Sequence, residues 1–171
     1  MRHDGTVLTP RADDAAIPMP RTLAALIAGA VAIALNTAAL AAADLVPLAT
    51  ARGGLLRLLV MLTGGALQIP AGGAFQLGFH VVIGLAMALF YAWVLEPVLQ
   101  GPSWLRGLTY AVVVWLANAA VVLPSTGEGF AGSRHLTLAG ILWFAAAHTM
   151  FFIVLAVLYA RLRNGHTSPD V

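Results

Sequence analysis

The stretch Ala71–Leu95 (AGGAFQLGFHVVIGLAMALFYAWVL) carries no formal charge, and its only side chain that titrates near neutrality is His80. A run of this kind has few ways to fold. About 20 consecutive apolar residues cross the roughly 30 Å hydrocarbon core of a bilayer as one helix. In lipid a helix satisfies every backbone hydrogen bond internally, so the run is read as a crossing. Three more stretches follow the same rule: Arg21–Asp44, Gly107–Pro124 and Leu136–Ala160. Only 9% of the 171 residues are charged, against about 25% in soluble domains. Too few charges remain to solvate a surface, so lipid must cover much of it. The expected fold class is all-α, an integral membrane bundle of four transmembrane helices.

Between the first two crossings, Leu45–Pro70 holds the apolar run Leu58–Leu67, broken by Gly64–Gly65 and Pro70. It is too short to span and predicts a short interfacial or re-entrant helix in the first outer loop. Residues 1–20 hold three prolines and both acids and arginines, and read as a disordered tail. Residues 21–163 form the membrane domain, and 164–171 a polar C-terminal tail. The uncharged run Thr22–Ala43 is too long for the apolar core of a signal peptide, about 7–15 residues, although Ala41–Ala43 imitates a cleavage site. Pro97 is expected to stop the second helix and Pro124 the third. Trp104 and Arg106 stand where an aromatic belt and a cationic anchor belong.

All nine basic residues are arginines. Arg2, Arg11, Arg21, Arg106, Arg161 and Arg163 fall on one side of a four-crossing topology, and Arg52, Arg57 and Arg134 on the other. That excess places both termini in the cytoplasm. The arginines are scattered rather than clustered, which argues against a nucleic-acid partner. With no cysteine, disulfides, thiolate metal sites and cysteine nucleophiles are excluded. The motifs HExxH, GxSxG and the P-loop are absent, so the chain is expected not to be an enzyme.

Histidine followed eleven positions later by tyrosine occurs twice, as His80/Tyr91 and His148/Tyr159. A shift of 68 positions also brings Ala88 onto Ala156 and Ala92 onto Ala160, and a shift of 82 brings Asn36 onto Asn118. The chain thus reads as two parallel helical hairpins. Such repeats are related by an axis along the membrane normal, which puts His80 and His148 at one depth.

The candidate site residues are the polar side chains inside the crossings: Asn36, His80, Asn118, His148, Tyr91 and Tyr159. Ionisable groups there face the bundle interior or a watery cavity. The two histidines admit four readings: packing through hydrogen bonds, a proton or substrate pathway, axial ligation of a haem b iron as the one cofactor alternative, or another metal. Asn36, in line with Ala24, Ala28 and Ala32, reads as a helix–helix contact of small residues joined by an amide. The two tyrosines read as anchors at the membrane interface. Asp44, Glu128, Arg134 and His135 read as solvated loop charges, and Glu96 with Arg106 as a surface pair.

Three segments taken together carry a resemblance: FHVVIGLAMALFYAWVLEP (79–97), WLRGLTYAVVVWLANAAVVLP (104–124) and AAHTMFFIVLAVLYARLRN (146–164). A histidine early in one crossing, a Trp/Gly turn, a crossing ending in proline and a histidine before an arginine-rich end look like the YagU-like group of small bacterial inner-membrane proteins. The resemblance covers roughly 71–164. It implies a four-helix protein of the bacterial inner membrane and transfers no catalytic residue. The expected function is a non-enzymatic structural, accessory or stress-related component. The alternatives are a small solute transporter or proton-linked channel, and a haem-binding electron carrier using His80 and His148. The expected partners are the lipid bilayer and a second copy of the chain or another membrane protein.

Overall fold

The computed structural model describes residues 19–46, 48–51, 53–66, 69–70 and 72–164. Four helices are long and apolar enough to cross a membrane: α1 (Arg21–Leu45), α3 (Gly73–Leu95), α4 (Ser103–Ser125) and α5 (Leu138–Asn164). A short helix α2 (Gly54–Leu62) lies between the first two. No strand occurs among the described residues. At about 1.5 Å per residue, spans of 23 to 27 residues reach about 34–40 Å, enough to cross the hydrocarbon core with some tilt. Large apolar side chains point outward along the bundle, such as Val82 (62% exposed), Val113 (60%) and Leu142 (59%). The chain is an all-α, multi-pass membrane protein whose outer surface suits lipid.

Within the bundle, helices approach through small residues. Lipid tails are as apolar as leucine, so association rests on close packing rather than on escape from water. Ala24, Ala25, Ala28, Gly29 and Ala32 form the buried face of α1, which ends in Asn36. A Cβ on Gly29 would stand 2.6 Å from Ala88 Cβ, and one on Gly107 would stand 2.5 Å from the Phe152 carbonyl oxygen. These two glycines set the spacing of α1 to α3 and of α4 to α5. α1 lies along both α3 and α5, and α4 lies along α5. The fourth side, between α3 and α4, is sparse and closes mainly at one level. There the Tyr110 hydroxyl meets the Met87 carbonyl oxygen at 3.3 Å and its sulfur at 2.9 Å.

Several boundaries move from the sequence expectation. α4 begins at Ser103 rather than Gly107, because Pro102 (φ −66°, ψ 151°) stands extended just ahead of it. Proline is tolerated there, where its missing N–H has no helical partner to lose. α5 runs to Asn164, past Arg161 and Arg163, whose positive charge favours a helix C-terminus. Arg163 Nη1 donates to the Met19 carbonyl at 2.9 Å, so the two ends of the bundle chain adjoin. The short helix starts at Gly54, after Gly53 in the left-handed region (φ 71°), and ends before Thr63. Leu67 and Ala71 fall outside the described residues, as do 1–18 and 165–171, including most of both expected tails.

The prolines widen their helices before ending them. Residues Tyr91–Leu95 and Asn118–Val122 form π-helical turns. Proline clashes with the carbonyl four residues before it. For Pro97 that carbonyl belongs to Trp93, and for Pro124 to Ala120, each inside a widened turn. α4 accordingly continues through Pro124 to Ser125.

Candidate functional site

Four polar side chains of the crossings, Asn36, His80, Asn118 and His148, line one cavity of about 440 Å³ in the half of the bundle nearer the α1–α3 and α4–α5 loops. The first turns of α3, Gly73–Gly78, are exposed on every side. These turns are thus unpacked, and the cavity lies beside them where α3 and α4 make few contacts. α2 covers its loop end through Gly54, Leu55 and Leu56.

Each polar group has an assigned environment. His80 Nε2 donates to Asn36 Oδ1 at 2.9 Å, a bond between α3 and α1. His148 Nδ1 donates to the Phe144 carbonyl at 2.8 Å, one turn back on its own helix. The two rings stand edge to face with centroids 6.3 Å apart. Asn36 is 1% exposed, and its Nδ2 has no hydrogen-bond partner among the described residues. Thr37 Oγ1, next in the chain, is likewise buried without a partner among the described residues. Apolar walls come from Ile33, Met87, Val114 and Phe151, with the Trp115 and Phe144 rings.

Toward the termini an aromatic layer closes the cavity. Tyr91 and Tyr159 are each 1% exposed, with ring centroids 5.7 Å apart and edge to face. Tyr110 stacks on Tyr91 at 6.1 Å and packs on Phe152 at 4.3 Å. The reading of Tyr91 and Tyr159 as interface anchors is therefore corrected: both point into the bundle. The widened turn that starts at Tyr91 belongs to the same level. Beyond the layer, Glu96 lies 3.7 Å from Arg21 and 3.6 Å from Arg106, and Arg21 stands 5.2 Å above the Trp93 ring. At the opposite end Glu128 pairs with Arg57 and lies 3.7 Å from His135, tying α2 to the α4–α5 loop. Of the loop charges grouped by sequence, Glu128 and His135 thus meet. Arg134 instead donates to the Gly127 carbonyl at 3.2 Å, and Asp44 lines the cavity.

The repeat is visible in the geometry. His80 meets His148, and eleven residues on Tyr91 meets Tyr159, so α3 and α5 run the same way at the same depth. The asparagines do not follow it. Asn36 holds His80, whereas Asn118 hydrogen-bonds neither histidine and opens a π-turn. The close α1–α5 side also has no equal in its repeat mate, the α3–α4 side, where the cavity lies.

Sequence reasoning missed Gln76 and Tyr110. Gln76 lines the cavity one turn before His80, and the row Gln76, His80, Gly84, Ala88 at four-residue spacing already announces it. Tyr110 shares a face with Val114 and Asn118 by the same spacing. For a metal or haem iron, each ring uses its N–H within the protein and keeps one nitrogen lone pair, the form that ligating histidines take. Among the described residues no group of three or more His, Cys, Asp and Glu side chains is placed to hold a metal ion. No family model, no curated protein and no solved structure matches the chain.

Proposed function

We propose that this chain is a non-enzymatic protein that takes a small, mostly apolar molecule from the bilayer into the cavity between α3 and α4. The observation that supports this most is the convergence of Asn36, His80, Asn118 and His148 on one cavity rather than on dry helix contacts. Small-molecule sites are concave, mostly apolar and carry a few convergent polar groups. The aromatic layer beneath favours binding or handover from lipid over free conduction. The Asn36–His80 bond serves packing at the same time, in line with an accessory role. The bacterial inner membrane, with both termini cytoplasmic, and kinship with the YagU-like group belong to the same proposal, resting on arginine placement and the quoted motifs.

The test is photolabelling in nanodiscs with a diazirine-bearing alkyl probe, read by peptide mass spectrometry. Labelling at the cavity-lining residues Phe79, His80, Met87, Trp115, Phe144 and His148 that saturates and is competed by excess unlabelled probe is expected. Labelling of outward residues such as Val82 and Val113 should rise linearly without competition. Equal, non-saturating labelling of both sets overturns the proposal.

The haem alternative draws on the ring orientation of His80 and His148. It predicts a Soret band in protein expressed with haem, shifted by dithionite and lost in both His80→Ala and His148→Ala. A colourless, monodisperse protein removes it.

A further inference from the structure

The cavity's polar groups are unequal in kind, and that inequality selects a ligand. His148 Nδ1 lies 2.8 Å from a backbone carbonyl, which accepts only. The ring proton must therefore sit on Nδ1, which leaves Nε2 a bare lone pair. His80 repeats the pattern, since Nε2 donates to an amide oxygen and Nδ1 remains an acceptor. Two imidazole acceptors thus stand with ring centroids 6.3 Å apart on a cavity whose remaining wall is mainly apolar and aromatic. A ligand carbonyl or ether oxygen placed there would face lone pair against lone pair. A hydroxyl donates to the imidazole, and its own oxygen still accepts from the Asn118 amide on the same cavity.

Resting on the binding reading above, we infer that the cavity recognises a lipid-soluble molecule by a hydroxyl group donated to His148 Nε2, carried on an aromatic ring seated against Phe144 and Trp115. The ring follows from the walls. Phe144 lies 4.0 Å from the His148 ring between centroids, tilted by 37°, so the acceptor is framed by a flat face. The open α3–α4 side leaves room for an alkyl tail to pass into lipid. A site that accepts a hydroxyl proton prefers it over an analogue that lacks it by about the worth of one net hydrogen bond.

The test uses octylbenzene, 4-octylphenol and 4-octylanisole as competitors of the photolabel in nanodiscs, with wild-type protein and His148→Phe. The phenol and its methyl ether share a shape and differ in the donated proton. The expected result is that the phenol competes about fivefold to tenfold better than the ether in the wild type, the range of one net hydrogen bond. In His148→Phe that ratio should fall to the ratio set by bilayer partition alone, with octylbenzene competition retained. Retained octylbenzene competition also shows that the variant folds. Equal competition by phenol and ether in the wild type, together with equal competition by 1-dodecanol and its methyl ether, overturns the hydroxyl inference while leaving the binding reading intact. Failure of all three competitors to displace label from cavity residues overturns both. The second pair, 1-dodecanol and its methyl ether, also separates ring from hydroxyl. A dodecanol preference with none for the phenol keeps the hydroxyl and overturns the ring.

Discussion

At the depth of Tyr91 and Tyr159 the bundle is filled, and at the depth of His80 and His148 it is hollow, although both pairs lie on the same two helices eleven residues apart. The filled level has Tyr110 from α4 wedged against Tyr91 and against Phe152 from α5, and Gly107 lets α4 come within backbone contact of α5. The hollow level has no such wedge. Asn118 is shorter than a tyrosine, the first turns of α3 are exposed, and α2 supplies only a cover. What separates a core from a binding cavity here is the size of the third side chain and the nearness of the fourth helix, not the polarity of the facing pair.

The sharpest way to break that contrast is to make one substitution at both levels. Gly107→Leu drives a side chain into the Phe152 carbonyl and the Ile153 Cα. It should destabilise by about 3 kcal/mol or more, seen as loss of monodisperse protein in detergent. Gly78→Leu, with nothing within 4 Å of the added Cβ, should leave the melting temperature unchanged or slightly raised. If both variants behave alike, the two levels are not packed differently.

Tyr110→Ala should cost about 3 kcal/mol, as for other large core aromatics. It should also let cavity labelling extend to Tyr91 and Tyr159. A stable variant with unchanged labelling would mean that Tyr110 is not the wedge.

At the hollow level the effects should be smaller. Asn36→Ala removes the bond to His80 but also a buried Nδ2 that has no partner among the described residues. The expected loss is about 0.6 kcal/mol, the average for polar pairs between membrane helices. A thermal-unfolding loss above about 2 kcal/mol would mark Asn36 as a structural keystone instead.

Smallest is Glu128→Gln, which releases Arg57 and His135 at the loop end. Surface pairs contribute about 0–1 kcal/mol. The loss should shrink further at high salt, and hydrogen exchange in α2 should speed up more than in the four long helices.

Much of this was legible in the chain. The absence of charge over four long runs fixes four crossings, and an even number brings both termini to one side. The four-residue rows Ala24, Ala28, Ala32, Asn36 and His80, Gly84, Ala88, Ala92 already mark the inward faces of α1 and α3. The His–Tyr repeat gives equal depth to the two histidines. Other features were not legible. Tyrosine serves equally as an interface anchor or a core residue, and only the partners across the bundle distinguish them. Pro97 and Pro124 read as stops, yet local sequence does not say whether a helix breaks or widens, because neighbours hold the widened turn in place.

The sequence by itself determined that this is a membrane-spanning helical protein and that the rows through Asn36 and His80 turn inward, because length, charge and the 3.6-residue period are local properties. Only the tertiary structure decided that the two histidines meet, that Asn36 bonds a histidine and Asn118 bonds neither, and that α3 and α4 leave a cavity between them. Those outcomes depend on how closely two helices approach. That distance is set jointly by side chains far apart in sequence, such as Gly29 with Ala88 and Gly107 with Phe152, and no single stretch encodes it.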